Sequence, residues 1–188
     1  KDNPNWTQPW GSGGVWHAMN GQFFYGIFWK GMPDLNYRSQ SVQKWAIDLS
    51  KHWLKQGVDG FRIDAARYLV ANGSGNKQSD QAQTFDFWRK YRSEVKKAYP
   101  NAMLIGEVWT SAPNIAKYCK GDQFDLAFNF PMANGIFNAV AAMSSKAFWR
   151  EWTGSKSIPQ VCQSVFLSNH DTERIFSRFN GDAAMMRL

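Results

Sequence analysis

The sequence has only two cysteines among its 188 residues, and none of its apolar runs approaches the ~20 residues of a membrane-spanning helix. Cys119 and Cys162 are far apart and match no metal-ligand spacing, so we expect two unremarkable thiols. The HExxH metal motif is absent, as is a Gly-rich phosphate loop after a strand. These absences argue against a membrane span and against the corresponding metal and nucleotide sites.

The formal charge of +7 raises nucleic acid or an anionic surface as partners. The basic residues are scattered, however, and the densest run, Arg89 to Lys97, has the period of one solvated helix face. With 44% hydrophobic and 20% charged residues, the composition is typical of a folded globular domain. We therefore expect no nucleic-acid binding, and the sequence predicts no oligomeric state.

Aromatic residues make up 16% of the chain and include ten Trp. A helical stripe predicts that Trp45 and Trp53 lie in the core, whereas other Trp side chains suit stacking against the C–H faces of sugars. The chain begins at Lys1 without a signal-peptide pattern, and its helix-like last segment, residues 182–188, stops without a cap. We expect both ends to be cuts through a longer protein.

Residues 1–40 are rich in Gly, Pro, Asn and aromatic residues without a steady period, which predicts a long structured loop. Helices and short apolar strands then alternate four times, a pattern that predicts parallel strands joined by helical crossovers. The strands are predicted at 58–65, 102–109, 124–130 and 161–171. The helices are predicted at 41–57, 84–100, 112–120 and about 136–152, with a last one at the end of the chain.

Polar side chains cluster where the predicted strands end. In chain order they are Arg62, Asp64, Glu107, Asn129, Asn169, His170 and Asp171. The acids are 43 and then 64 residues apart, which fits one and two strand–helix units of the ~31 residues found in a (β/α)₈ barrel. We predict an α/β fold with four consecutive units of a (β/α)₈ TIM barrel, whose active site lies at the carboxyl ends of the strands. A doubly wound open sheet is the alternative.

The three acids suit glycoside hydrolysis, which needs two carboxyl groups flanking the scissile bond. Arg62 is two residues before Asp64 on one strand face, so its guanidinium favours an ionised, nucleophilic Asp64. Glu107 has apolar neighbours, and an apolar setting suits a general acid. Asp171, beside His170, is a candidate for binding sugar hydroxyls and stabilising an oxocarbenium-like charge. One alternative is that each acid forms a structural ion pair or caps a helix. Another is that the acids bind a metal ion.

Four short segments resemble signature regions of the α-amylase family of glycoside hydrolases, in the family's order and spacing. They are MPDLN (Met32–Asn36), GFRIDAARY (Gly60–Tyr68), IGEVW (Ile105–Trp109) and FLSNHD (Phe166–Asp171). The resemblance spans nearly the whole chain. It implies that residues 41–188 form about strands four to seven of a catalytic (β/α)₈ barrel. Residues 1–40 would be the end of the loop domain that follows strand three.

The resemblance also implies a reaction: hydrolysis or transfer of α-glucosidic bonds in starch-like glucans or maltooligosaccharides, with retention through a covalent glycosyl-enzyme intermediate. By motif position, Asp64 is implied as nucleophile, Glu107 as acid/base and Asp171 as transition-state stabiliser. The residues implied in orienting the nucleophile or binding substrate are Arg62, Arg67, Tyr68, Trp109, Asn169 and His170. No cofactor is implied for the chemistry, and an extracellular or periplasmic location is suggested by the resemblance alone.

Several departures from the family pattern matter. Arg67 and Tyr68 stand where many α-amylases have Lys-His, which puts the family's structural calcium site in doubt. MPDLN is intermediate between oligo-1,6-glucosidase-like and neopullulanase-like forms, so α-1,4 and α-1,6 preference stays open. Strands one to three and eight are not covered, so we expect the isolated chain to be inactive and poorly folded. The alternative function is a non-catalytic amylase-like barrel serving as a carbohydrate-binding or transporter-associated module.

Overall fold

The structure, a computed structural model, describes residues 5–188, and these residues form two compact units. The first unit comprises the residues up to Gly60 together with Ala66–Ala102, and the second comprises Phe61–Ala65 together with Met103–Leu188. The predicted loop segment 1–40 therefore falls partly outside the described residues. Its boundary with a barrel at residue 40 stays a prediction.

The first unit contains a β-hairpin and two long helices. Its elements are β1 (Trp16–Met19), β2 (Gln22–Tyr25), α1 (Gln40–Lys55), a 3₁₀ turn (Gly75–Gln78) and α2 (Ala82–Ala98). The two strands pair antiparallel across Asn20 and Gly21, whose φ angles of 50° and 75° are both positive. A two-residue Asn-Gly turn with two positive φ angles matches the right-handed twist of the flanking strands. The hairpin lies within the segment for which the sequence predicted only a loop.

Both predicted long helices are present, but the core-facing side of α1 differs from the prediction. Trp45 and Trp53 are 54% and 49% exposed, so their predicted place in the core is wrong. The buried side chains of α1 are Ile47, Ser50 and Leu54, which are spaced by three and four residues on a different face. Hydrophobic periodicity identifies apolar stripes along a helix. Because α1 has two such stripes, the periodicity alone does not determine which of them packs against the core.

The buried face of α1 packs against α2 through both polar and apolar contacts. The Ser50 and Tyr91 hydroxyls are hydrogen-bonded at 2.7 Å in the buried region between the helices. Trp88, Tyr91 and Val95 are buried on α2, which confirms the core face predicted for that helix. Buried hydroxyls need such a partner, since an unpaired one costs about 1–3 kcal/mol.

The second unit contains a four-stranded sheet and short helices. Its elements are β3 (Gly60–Ile63, starting in the first unit), β4 (Met103–Gly106), α3 (Ala112–Ile115), β5 (Leu126–Phe128), α4 (Phe130–Ala141), α5 (Lys146–Ser155), β6 (Gln163–Ser164) and α6 (Ile175–Arg178). Three 3₁₀ turns lie at Ala116–Tyr118, Gln160–Cys162 and Met185–Arg187. The last of these stands where the sequence predicted a terminal helix.

The sheet has the strand order β3-β4-β5-β6, with β4 parallel to β5 and β5 parallel to β6. Each new strand is added on the same side, as in a (β/α)₈ barrel, whereas a doubly wound sheet reverses its order at a switch point. The predicted α/β fold with part of a TIM barrel is therefore confirmed, and the doubly wound alternative is not. Within residues 5–188 the sheet does not close into a barrel.

Strand β6 is much shorter than the predicted strand 161–171. It pairs only over Gln163 and Ser164, and the apolar Val165 and Leu167 that follow are exposed. In the described part of the chain β6 has a neighbour on one side only. An apolar run predicts a strand, but a strand forms only where a neighbouring strand supplies backbone hydrogen bonds.

The two cysteines are joined by a disulfide bond, so the prediction of two unremarkable thiols is wrong. Cys119 and Cys162 have Cα atoms 5.9 Å apart and are both buried. They are 43 residues apart in sequence, and the fold brings the turn after α3 next to the turn before β6. Sequence spacing cannot reveal such a pair, because proximity depends on the order of strands in the sheet.

No helix among residues 5–188 has the length and apolar character needed to span a membrane.

Candidate active site

The carboxyl end of β3 carries a basic and an acidic side chain in contact. Arg62 Nη1 lies 2.6 Å from Asp64 Oδ1, as their spacing of two residues along one strand predicts. The chain then turns at Ala65, whose φ of 45° is left-handed and unusual for a residue with a Cβ. This turn points the Ala65 N–H at Glu107, and it donates to Oε2 over 3.1 Å.

Glu107 follows directly after β4 and is fixed there by its backbone. Its N–H donates to the Ile63 carbonyl at 2.9 Å, which extends the pairing of β3 and β4 by one rung. The preceding residue, Gly106, lies against the Phe124 ring, where a Cβ would approach Phe124 Cδ2 to 2.4 Å. Any larger residue at Gly106 would displace this ring, so the IGEVW segment needs its glycine for close packing.

One guanidinium connects all three acids that the sequence singled out. Besides Asp64, Arg62 approaches Glu107 with Nη2 2.8 Å from Oε1, and Asp171 with Nη2 3.8 Å from Oδ2. The first two contacts are close ion pairs, and the third is a looser one. The structure thus brings Arg62, Asp64, Glu107 and Asp171 together in the second unit.

The two leading carboxyl groups have different surroundings. The Asp64 side chain is 68% exposed, whereas the Glu107 side chain is 8% exposed. Burial raises the pKa of Glu107 above its ordinary value; the Ala65 N–H and the Arg62 charge oppose this rise, and Asp64 adds to it. A buried group beside an exposed one is the arrangement that lets two carboxyls differ in protonation at one pH.

The Asn169–Asp171 segment is held in shape by its own hydrogen bonds. The Asn169 Oδ1 accepts from the Asp171 N–H at 3.1 Å, and the Asn169 N–H donates to Thr172 Oγ1 at 2.9 Å. His170 Nε2 lies 3.2 Å from Asp171 Oδ2, and the His170 side chain is exposed. Asn169 therefore orients the segment, while His170 and Asp171 present polar groups at the surface of the site.

Trp109 lies two residues after Glu107 and is stacked on a buried ring. Its indole is parallel to Phe130, with centroids 4.3 Å apart and planes 8° apart. Phe130 is in turn braced by an edge-to-face contact with Phe166 at 4.9 Å. Trp109 remains partly exposed on this support, so it has surface available for a ligand.

Arg67 and Tyr68, the other predicted substrate contacts, belong to the first unit. Arg67 forms an ion pair with Asp80, with Nε donating to Oδ1 at 3.2 Å. The Tyr68 ring contacts Trp10 at 5.4 Å and Phe28 at 5.8 Å, both edge to face. The two side chains are thus placed by contacts within their own unit.

Asn129, which the sequence placed among the polar residues at the strand ends, is fully buried and acts as a helix cap. Its Oδ1 accepts from the Met132 N–H at 3.1 Å at the start of α4. Its Nδ2 donates to Ser155 Oγ at 2.9 Å and to Gln163 Oε1 at 3.0 Å. All of its hydrogen bonds that the structure describes are internal, which indicates a structural role.

The site also contains a feature that sequence reasoning missed, the Ala65 N–H. An alanine carries no chemical signal, and only the positive φ in the structure reveals that its backbone points at a carboxylate. In the described residues, no group of three or more His, Cys, Asp and Glu side chains is arranged to hold a metal ion. Whether the protein requires calcium stays a prediction.

The family model of the α-amylase catalytic domain matches residues 1–188. The chain belongs to this family. Alpha-amylase 3 of Dictyoglomus thermophilum is 34% identical over 173 residues, which cover 89% of this chain and 32% of that protein. A cyclomaltodextrinase of Thermoanaerobacter pseudethanolicus is 32% identical over 172 residues, covering 88% of this chain and 27% of the relative.

A solved structure is similar to this α-amylase family chain as well. The crystal structure of alpha-amylase from H. orenii matches it with a TM-score of 0.78 at 33% identity, covering 94% of this chain and 36% of that one. The chain spans about a third of the length of the relatives it matches. Family membership and fold are therefore established, while the role of each site residue stays a prediction.

Proposed function

We propose that this chain carries the catalytic acids of an enzyme that cleaves α-glucosidic bonds with retention, through a covalent glycosyl-enzyme intermediate. The observation that carries the proposal is the pair of unlike carboxyl groups on one guanidinium: an exposed Asp64 and a buried Glu107. Retaining glycosidases need one carboxylate that attacks and one carboxylic acid that gives its proton to the leaving oxygen. The pair provides both in one place.

Asp64 is the proposed nucleophile. Its contact with Arg62 at 2.6 Å fixes the direction of the side chain. Because the Asp64 side chain is largely exposed, an anomeric carbon can reach it. Attack by a carboxylate oxygen on that carbon breaks the glycosidic bond and leaves the sugar esterified to Asp64.

Glu107 is the proposed acid in the first step and the base in the second. Burial raises the pKa of this carboxyl, so its protonated form is favoured and a proton is available for the leaving oxygen. After that transfer, the Ala65 N–H and Arg62 both bind the carboxylate that remains. The anion can then take a proton from water or from a sugar hydroxyl as either attacks the ester.

Asp171 and His170 are proposed to bind the hydroxyls of the sugar that reacts. Asp171 also adds negative charge close to a ring that becomes cationic in the transition state. Arg62 links Asp171 to the other two acids, and Asn169 holds its backbone. Trp109 offers a ring surface two residues from the proposed acid, which suits a sugar of the leaving group.

The proposed substrates are starch-like α-glucans or maltooligosaccharides. The similarity to proteins named alpha-amylase and cyclomaltodextrinase supports this class. Arg67 and Tyr68 stay proposed substrate contacts. Hydrolysis and sugar transfer share the covalent intermediate, so the acceptor, water or a second sugar, decides which product forms. No described feature favours the non-catalytic alternative, because all three carboxylates are in place.

The test is cleavage of maltoheptaose by variants of the enzyme that contains this chain. Asp64→Asn and Glu107→Gln are expected to lower kcat by at least about 10³-fold, since each removes a group that the reaction requires. Glu173→Gln is a matched control, because Glu173 is an exposed acid two residues after Asp171; it is expected to keep wild-type kcat. NMR of the first product is expected to show the α-anomer.

Two results would contradict the proposal. Wild-type kcat in Asp64→Asn would remove the nucleophile assignment, and a β-anomer as first product would exclude retention. Cleavage of maltoheptaose by none of the proteins, including the wild type, would favour the non-catalytic carbohydrate-binding alternative.

A further inference from the structure

A cavity of about 640 Å³ lies within the first unit. This volume falls in the range of about 300–1,000 Å³ that is usual for small-molecule sites. The residues that matter for its chemistry are Trp6, Trp16, Phe23, Tyr25, Asp34 and Arg38. The proposed catalytic acids belong to the second unit, so the cavity is built from a different set of residues. We call it the hairpin cavity.

One face of the β1–β2 hairpin forms the aromatic wall of the hairpin cavity. Trp16 pairs with Tyr25 across the hairpin, and Phe23 lies two residues before Tyr25, so all three side chains leave the same face. The Trp16 and Tyr25 rings are 5.2 Å apart, and Trp6 packs 5.7 Å from Trp16. Phe23 is 53% exposed, which leaves its ring surface available. Flat rings of this kind are suited to the C–H face of a sugar.

The charged groups of the hairpin cavity have opposite signs and are held in place. Asp34 Oδ2 accepts from the Ile27 N–H at 2.7 Å. Arg38 Nη2 donates to the Ala71 carbonyl at 2.7 Å and to Asn72 Oδ1 at 2.5 Å. An acid and a base in one wall favour an uncharged ligand with hydroxyl groups over an anion or a cation. Their internal hydrogen bonds hold both side chains in the cavity wall.

The indole N–H of Trp16 is buried and has no hydrogen-bond partner among the residues that the structure describes. Because this N–H is sealed from solvent, a ligand in the cavity does not contact it directly. Trp16 lines the cavity through its ring, so a sugar stacked on the aromatic wall changes the surroundings of the indole.

We propose that the hairpin cavity is a second, non-catalytic site that binds an uncharged α-glucan oligosaccharide. The aromatic wall stacks on the sugar, and Asp34 and Arg38 bind its hydroxyls. The proposal rests on the proposed function for its choice of sugar, but it requires no reaction at the site. Such a site holds a long glucan on the enzyme while the acids act on another part of it.

The test follows the Trp16 indole N–H directly. The enzyme containing this chain is made with ¹⁵N-tryptophan in a Glu107→Gln background, so that maltoheptaose is not consumed, and the Trp16 signal is assigned by its loss in Trp16→Phe. Addition of maltoheptaose is expected to shift this signal. Phe23→Ala is expected to raise Kd about 2- to 10-fold, the value of one aromatic contact of ~0.5–1.5 kcal/mol.

Phe24→Ala is the matched control, because Phe24 neighbours Phe23 in β2 but leaves the other face of the hairpin, where it contacts His17. It is expected to keep the Kd, and Phe23→Trp is expected to keep or lower it. The proposal would be overturned if the chemical shift of the Trp16 N–H did not change at millimolar maltoheptaose. Equal effects of Phe23→Ala and Phe24→Ala, or an equal response to cellohexaose, would overturn it as well. Failure of the proposed function would show instead as no cleavage by wild-type enzyme, a separate measurement.

Discussion

Replacement of Arg62 by Met tests the central arrangement of the site most directly. The change removes the guanidinium that contacts Asp64, Glu107 and Asp171, and it keeps a side chain of similar length. The positive charge of Arg62 lowers the pKa of Glu107 against the larger effect of burial. Without that charge the pKa of Glu107 rises further, because the ionised form loses a stabilising partner.

The size of the effect follows from the contacts. The ion pair between Arg62 Nη2 and Glu107 Oε1 has a distance of 2.8 Å and involves an acid whose side chain is 8% exposed. A charge-assisted contact of this length contributes about 1.5–3 kcal/mol, which corresponds to a fall in kcat/KM of about 10- to 150-fold. The contact with Asp64 is solvent-exposed and adds less to this range.

The assay is the pH dependence of kcat/KM for maltoheptaose. The basic limb of the profile reports deprotonation of the general acid in the free enzyme, so it is expected to move to higher pH in Arg62→Met. Arg62→Lys keeps the charge, but a single ammonium cannot span two carboxylates as the guanidinium does. That variant is expected to lose kcat/KM while its basic limb stays near the wild-type position.

Arg62→Met with wild-type kcat/KM would refute the reasoning, and so would a basic limb that moves to lower pH. If activity is too low for a profile, NMR titration of ¹³C-labelled Glu carboxyls reports the same pKa directly. Circular dichroism and the thermal midpoint confirm that each variant is folded before its kinetics are compared.

Two further predictions concern stability, both measured by urea unfolding of the enzyme containing this chain. Changing Cys119 and Cys162 together to Ser is expected to lower the free energy of unfolding by about 2–4 kcal/mol, because the bond closes a loop of 43 residues. A reducing agent should then affect the wild type and not the variant; equal sensitivity would contradict this. Asn129→Ala is expected to cost about 2–4 kcal/mol, since it removes a helix cap and leaves buried partners unpaired. A loss below about 1 kcal/mol would show that water replaces those partners.

The parallel sheet and the gathering of acids were predictable because both follow from local rules. Apolar runs alternating with helical periods require crossovers, and crossovers place the carboxyl ends of all strands on one side. Asp64 and Glu107 therefore had to lie near each other once each was recognised at a strand end. The hairpin at Asn20 and Gly21 was predictable too, since an Asn-Gly pair between two short segments rich in apolar and aromatic residues is a strong turn signal.

Other features depended on tertiary structure. The Cys119–Cys162 bond depends on which strands are neighbours, and the inward face of α1 depends on which stripe finds a partner in α2. The Ala65 backbone is left-handed and its N–H donates to Glu107, which no side-chain preference encodes. These features all arise from contacts between residues distant in sequence, where local periodicity carries no information.

The contact of a single guanidinium with three acids also fixes the electrostatic balance of the site. In the proposed mechanism Asp64 and Asp171 start as carboxylates, Glu107 as an acid and Arg62 as a cation, and these four groups sum to one negative charge. When the glycosidic bond breaks, the Glu107 proton passes to the leaving oxygen, so the cluster carries two negative charges beside a ring that carries one positive charge. The total charge is unchanged, but opposite charges now face each other, whereas the intact sugar is neutral. The proposed site therefore stabilises the oxocarbenium-like transition state more than the bound glucan.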